Sequence, residues 1–310
     1  MKLYIDKDNV ISLMKSKGLP EFFDCANLIR KHLDVQYNFP KEELKSDSLL
    51  MAWFSTYGQG VMGMQKFVSN EFDTFPERPI KSNFYNIGES NILTSIYLLD
   101  DEHMCDVIKG KSCILIGKIG EELNVIQSLI MEGTETPAVS ISSWKDYLPI
   151  LPLTDIIISD NHYFKDELVY RNNDNEIISY LASIPQNYPV NIIIITKEGE
   201  VDNRIDLVSE QKQIKELVKQ ASRSSKSTVT ILTTYKSHDR SLITNYYRIK
   251  HGSCFHLKEN GIKNDVMTEI KTHALRNNEE NSKYLLDVFQ EIASNPVRLI
   301  GDKKSNFLKF

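Results

Sequence analysis

Three short strand-like segments recur at similar spacing in the second half of the chain. They are Asp155 to Ser159 with its Ile156-Ile157-Ile158 run, Val190 to Thr196 with four consecutive isoleucines, and Thr228 to Thr233. Runs this short and this rich in β-branched residues are too brief for helices and too apolar for strands with one solvated face, so they read as strands buried on both faces. Helical segments are expected between them, over Asn175 to Ser183 and Glu210 to Ser222. Strands separated by helices of about a dozen residues are βαβ units, which imply a partly parallel sheet with helices against it. A second strand is expected to follow Thr228–Thr233 after a polar turn, opening at His238-Asp239-Arg240 and running through Tyr246, Tyr247 and Arg248. A polar loop, 258 to 265, and a last helix near Ser282 to Ala293, with Tyr284, Val288 and Ile292 on one face, complete this part.

The first half is less regular. Residues 2 to 5 suggest a strand, followed by a helix over 9 to 17 that Gly18 would end, and a second helix opened by Pro20 with Phe22, Ala26, Ile29 and Leu33 as its core stripe. Residues 41 to 72 read as helical with a break at Gly58-Gln-Gly60-Val-Met-Gly63. That break spells G-x-G-x-x-G, but a dinucleotide fingerprint needs a strand before it and another soon after its helix. Pro76 and Pro79 follow instead, so a glycine-rich break between packed helices is the reading taken. Strands are expected over 91 to 99, 112 to 117 and 137 to 141, with a helix over 121 to 131 entered through Gly117-Lys-Ile-Gly120. Such a turn can hold a phosphate at a helix N-terminus, yet tight βα turns use glycine for geometry alone. Residues 1–146 are thus an α/β or α+β domain, 150–300 a second α/β domain, and 301–310 a basic tail.

With 310 residues the chain exceeds the size at which a single core stops growing, in keeping with two domains. No apolar run approaches the roughly 20 residues of a membrane span, and Asp6, Lys7 and Asp8 stand where a signal peptide needs an apolar core, so a cytoplasmic protein is expected. Cys25, Cys105, Cys113 and Cys254 include no C-x-x-C pair, which argues against zinc and disulfide frameworks; reduced thiols and no cofactor are expected. The net charge of -5 is unevenly spread: 203 to 263 holds 12 Lys/Arg against 5 Asp/Glu, leaving 25 against 37 elsewhere. A basic segment in an acidic protein suggests an anionic partner, although Lys212, Lys215 and Lys219 also fit a solvated helix face.

Ligands of open α/β sheets bind at the carboxyl ends of the strands. Asp160, His162, Thr196, Tyr235 and His238 are expected at that edge. There His238, Asp239 and Arg240 form either an anion site or a satisfied turn. Arg248 and Lys250 would extend the basic patch, and Tyr235, Tyr246 and Tyr247 either stack on bases or pack the sheet.

Residues 150–258 resemble the phospholipase D-like domain found at the C-terminus of microtubule-interacting-and-transport (MIT) domain proteins and in bacterial relatives. Ile157-Ile158-Ser159-Asp160-Asn161-His162-Tyr163 is similar to that family's strand ending in Asp-Pro-Tyr, and Asn191 to Thr196 to its second strand. Ser237-His238-Asp239-Arg240 is similar to its Leu-His-Asp-Arg, and Arg248-Ile249-Lys250-His251-Gly252 to the stretch after its Gly-Trp. Asn161 replaces the proline, Tyr246-Tyr247 replace Gly-Trp, Ser253-Cys254-Phe255 replace Arg-Gly-Leu, and the first 145 residues show no MIT helical hairpin. The resemblance implies a phospholipase D-like mixed sheet without hydrolase activity. Catalysis in that superfamily needs two His-x-Lys motifs, one histidine attacking phosphorus and the other protonating the leaving group, whereas this chain has one motif with Arg240 at the lysine position.

Two function classes follow. The first is a non-catalytic module in which His238, Asp239, Arg240, Arg248, Lys250, Tyr235 and Tyr246 bind phosphate groups of nucleic acid in preference to a membrane surface, as a homodimer or with a protein partner in a larger complex. The second is a metal-dependent nuclease with PIN-like carboxylates drawn from Asp6, Asp8, Asp155 and Asp160, in which Asp160 would be the catalytic candidate; His238 would be one only if the single histidine motif were itself hydrolytic. A protein scaffold is the remaining alternative.

Overall fold

The structure is a computed structural model. It describes residues 2–32, 34–37, 39–57, 95–98, 114–116, 134–137, 141–148, 153–184, 189–236, 240–244, 247–251, 258–259, 262–263, 269–274, 279–305 and 307–310. The chain divides into two units, 1–84 with 92–130, and 85–91 with 131–310.

In the first unit, strands β1 (Lys2–Ile5), β2 (Asp34–Tyr37), β3 (Ser95–Leu98) and β4 (Ile114–Ile116) form a sheet of order β2-β1-β3-β4 in which every pair is parallel. Helices α1 (Lys7–Lys15) and α2 (Pro20–His32) connect β1 to β2, and α3 (Ser48–Thr56) follows a 3₁₀ turn at Lys41–Lys45. Asp6 caps α1, accepting from the Asn9 backbone N–H at 2.7 Å. Phe22, Ala26 and Ile29 are buried on α2, as their helical spacing predicts. Trp53 of α3 donates from Nε1 to the Tyr37 hydroxyl at 3.1 Å, tying α3 to β2. Strand β2 is not anticipated by the sequence reading, because Asp-Val-Gln-Tyr is too short to show a period. The glycine-rich break at 58–63, the Gly117-Lys-Ile-Gly120 turn and the helix expected over 121–131 lie outside the described residues.

The second unit is mixed α/β. Its main sheet has the order β14 (Arg298–Gly301), β8 (Thr228–Thr234), β7 (Asn191–Lys197), β6 (Asp155–Ser159), β9 (Ser241–Thr244), β10 (Tyr247–His251), β13 (Glu269–Ala274), β5 (Thr134–Pro137). Strands β6 (Asp155–Ser159), β7 (Asn191–Lys197) and β8 (Thr228–Thr234) form its parallel centre. Helices α5 (Glu167–Ser183) and α6 (Leu207–Ala221) are the crossovers, so the βαβ expectation is met. Every residue of β6 and β8 is buried, as the continuous apolar runs predict. At about 1.5–3 kcal/mol per fully buried aliphatic side chain, the isoleucines of β6 and β7 are a large share of the folding free energy.

The sequence reading departs from the structure at several points in this unit. The expected single strand through Tyr246–Arg248 is an antiparallel pair, β9 (Ser241–Thr244) and β10 (Tyr247–His251). Strand β5 (Thr134–Pro137) pairs with β13 (Glu269–Ala274), so the sheet takes in residues placed by sequence in the first domain. The polar loop at 258 to 265 contains a small antiparallel pair, β11 (Lys258–Glu259) and β12 (Ile262–Lys263). Helix α5 begins eight residues before its expected start at Asn175, because its Asn and Asp residues have poor helix propensity but make tertiary hydrogen bonds instead. The boundary expected over 144–152 falls instead at 130/131: helix α4 (Trp144–Tyr147) lies inside the second unit, where Trp144 is fully buried and its backbone N–H donates to Glu176 of α5. Helix α7 (Glu279–Ser294) buries Leu286, Phe289, Ile292 and Ala293.

The expected basic tail is instead packed structure. Strand β14 (Arg298–Gly301) pairs antiparallel with β8. The Asp302 N–H then donates to Val229 O, Asp302 Oδ2 accepts from Val229 N–H, and the Lys303 N–H donates to Thr230 Oγ1. Ser305 Oγ donates to Asp155 at the start of β6, and the Gln290 side-chain amide both donates to and accepts from the Lys309 backbone. Phe307 and Leu308 are buried. Gly301 has φ +105°, and an added Cβ would lie 2.3 Å from Val229 O, so glycine is required there both conformationally and sterically.

Two substitutions test this packing by urea denaturation. Phe307→Ala is expected to lose about 3–5 kcal/mol, whereas a loose tail would tolerate it within about 0.5 kcal/mol. Gly301→Ala is expected to lose at least about 2 kcal/mol from strain and the clash at Val229.

Candidate functional site

The parallel centre ends in two stitched loops. After β6 the Asp160 N–H donates to Ile195 O of β7, and Asn161 O accepts from Thr196 Oγ1 at 3.1 Å. The Phe164 carbonyl accepts from the Asp202 N–H beyond β7. Asp166 and Asp206 then cap α5 and α6 by accepting from backbone N–H groups of their first turns.

Asp160 is the hub of this edge. Its side chain is fully buried, and Oδ1 accepts from the His162 backbone N–H at 2.9 Å while lying 3.8 Å from Arg240 Nε. The meeting follows from register: β9 runs antiparallel to β6 with Ser159 opposite Ser241, so the residue before β9 falls beside the residue after β6. Ser241 is also opposite Lys250 of β10. Ser241 is fully buried, and neither its Oγ nor Asn161 Oδ1 has a hydrogen-bond partner among the described residues. His162 Nδ1 lies 3.2 Å from Glu200 Oε2.

Of the residues proposed from sequence, Asp160, His162, Thr196, Tyr235, Arg240 and Lys250 lie at this edge, as strand order implies. Tyr235 is 72% exposed at the end of β8. Arg248 is different: it sits opposite Ile243 within the sheet and is only 5% exposed, so it is placed as a core residue and not as a surface contact. Tyr247 is buried, on the packing side of the alternative set out for it. His238, Asp239 and Tyr246 lie outside the described residues. Ser241 and Glu200 were missed; Ser241 could have been found as the residue after Arg240, whereas Glu200 carries no local signal.

Behind this edge lies a buried polar cluster that sequence reading did not single out. Tyr163 is fully buried; its hydroxyl donates to Asp174 Oδ1 at 3.0 Å and its carbonyl accepts from Asn173 Nδ2 at 3.1 Å. Arg171 Nη1 lies 3.2 Å from Glu210 and 4.0 Å from Asp174, with its guanidinium 4.5 Å from the centre of the Tyr170 ring. Burial raises the Asp174 carboxyl to about 7, against the Tyr163 hydrogen bond and the Arg171 charge that lower it, and the Glu210 charge adds to the rise.

The basic segment is also less exposed as charge than its sequence suggests. Arg204 pairs with Asp202, Lys215 with Asp302, Lys219 with Glu216, Lys236 with Glu291, and Arg240 approaches Asp160. Four of these five carboxylates come from outside 203–263, so the sequence-local excess is partly neutralised by folding.

Within the second unit the carboxylates of the nuclease reading do not converge. Asp155 and Asp160 stand at opposite ends of β6, about 16 Å apart at the usual rise per residue, and Asp155 accepts from Asn191 and Ser305. Asp6 is engaged as a helix cap in the other unit, and Asp8 is exposed. Among the described residues no three His, Cys, Asp or Glu side chains are grouped so as to hold a metal, and no helix is long and apolar enough to cross a membrane. No protein-family model matches the chain, and no curated protein matches its sequence.

Asp160→Ala is expected to destabilise the protein by about 3–5 kcal/mol, because it removes the carboxylate beside a largely buried guanidinium and a loop acceptor together. Asp160→Asn should lose less, since its amide oxygen still accepts from His162. Unchanged or increased stability in both variants, measured by urea unfolding, would remove Asp160 from this structural role and favour a strained ligand site.

Proposed function

We infer that the second unit is a non-catalytic phosphate-binding module of the phospholipase D-like type, that its ligand is nucleic acid, and that it acts as a subunit of a larger complex. The observation that carries this reading is the buried Ser241 hydroxyl, which has no hydrogen-bond partner among the described residues and stands between Arg240 and the facing Lys250, at the carboxyl edge of the parallel strands. A phosphate oxygen bound at this edge accepts from the Arg240 guanidinium and the Lys250 ammonium, and where binding opens access to the buried Ser241 hydroxyl it also meets that unsatisfied donor. Asp160 positions Arg240 from behind. The exposed Tyr235 at the same edge is suited to stacking on a base. With one His-Asp-Arg motif, the module has no second histidine motif to share nucleophile and acid roles, so it binds without cleaving. Because much of the basic segment is internally paired, affinity rests on few phosphate contacts and its salt dependence is shallow.

Ser241→Ala separates a ligand site from architecture. Removing a buried hydroxyl that has no partner among the described residues leaves stability unchanged or slightly raised, while binding of fluorescein-labelled oligodeoxythymidylate weakens by about tenfold. Lys250→Ala should reduce the slope of log affinity against log salt by about 0.7, the value for one phosphate on a single strand. Undiminished oligonucleotide binding in both variants would exclude this edge as the site.

A further inference from the structure

Asp174 and Glu210 are both buried, 2% and 8% exposed, and Arg171 is the guanidinium between α5 and α6 that approaches both. Glu210 holds the closer position. Asp174 Oδ2 has no hydrogen-bond partner among the described residues, so a charged Asp174 would rest on one phenol hydrogen bond and a distant, shared cation. That is poor compensation for a buried carboxylate. The phenol belongs to Tyr163, in the loop between β6 and α5 that carries Asp160, Asn161 and His162.

We propose that Asp174 is a proton-operated latch on this loop: the neutral carboxyl is at ease in the closed cluster that holds Tyr163, whereas loss of the proton to solvent leaves a buried charge that the Tyr163 hydrogen bond and Arg171 only partly offset, so the loop and the edge residues it carries loosen. The link to ligand binding rests on the function proposed above; the movement of the loop does not. The groups facing Asp174 are Tyr163 from the loop, Glu210 from α6, and Arg171 on its own helix, with Asp160 acting on Tyr163 from the strand end. Tyr163 does not itself supply the proton, because burial and the neighbouring Asp174 charge hold its hydroxyl well above the usual phenol range. Asp174 is raised from its ordinary value, so the closed loop binds the proton more tightly than the open one. The preference for closure is complete below about pH 4 and is lost progressively up to about pH 7, above which it is constant.

Hydrogen exchange of amides 160–164 in the full chain, corrected for intrinsic exchange rates, reads this directly. Between about pH 5 and about pH 7.5 the opening constant should rise at least about tenfold in the wild type and stay flat in Asp174→Asn, whose amide oxygen still accepts from Tyr163. Glu210→Gln provides a second reading should the Asn variant fold poorly: the transition moves to lower pH when the neighbouring charge is removed. A flat wild-type profile, an unchanged slope in Asp174→Asn, or an unmoved transition in Glu210→Gln would each overturn the latch. In parallel, labelled oligodeoxythymidylate should bind more weakly at the upper pH in the wild type and equally at both in Asp174→Asn. A loop that responds without any oligonucleotide binding leaves the latch and removes the nucleic-acid reading; binding that is constant while the loop opens removes the regulation.

Discussion

Parallel strands cannot be joined by tight turns, and they are stable only when both faces are covered. Much of the second unit follows from that constraint acting on β6, β7 and β8. The crossovers must be helices, which supplies α5 and α6, and their loops must emerge at the carboxyl ends of the strands. The remaining surface is closed by α7 and by the segment after β14, which reaches Asp155 and Thr230. An exposed loop edge above an apolar centre results, and it is there that polar groups can be held in fixed positions.

The candidate site is held from behind as much as from within. Asp160 satisfies a loop N–H and lies beside Arg240, while Tyr163, three residues on, is held by adjacent side chains of α5. A helix carrying Asn172, Asn173 and Asp174 in succession gives up intrinsic propensity, and Asn173 and Asp174 make these contacts. Removing charge from this support would improve its desolvation while dissolving its dependence on protonation, so stability and responsiveness oppose one another at Asp174.

The parallel centre was legible because isoleucine runs leave few alternatives, and its strand ends correctly gathered Asp160, His162, Thr196 and Tyr235. The contributions of β5, β13 and β14 were not legible. Each is short, and each owes its existence to a partner distant in sequence, as Lys271 does to Lys250 and Leu299 to Leu232. Arg248 illustrates the same limit from the other side: a basic residue on a strand gives no local sign of whether the sheet buries it. The basic segment misled for a related reason, since its neutralising carboxylates Asp160, Glu291 and Asp302 are brought to it only by folding.

The late arrival of β14 has a kinetic consequence. Until the chain beyond Asn295 docks, β8 presents Thr-Val-Thr-Ile-Leu-Thr-Thr as a bare sheet edge with no charge and no proline, the composition most prone to pair with another chain. The contacts that cover it span 65 to 73 residues, and the one that anchors Ser305 to Asp155 spans 150, so closure is slow relative to formation of the βαβ units. A partly folded molecule in this interval can accept the β14 segment of a second copy as readily as its own. Concentrated refolding should therefore produce exchanged dimers, with α7 as the arm that carries the strand across, before it produces disordered aggregate.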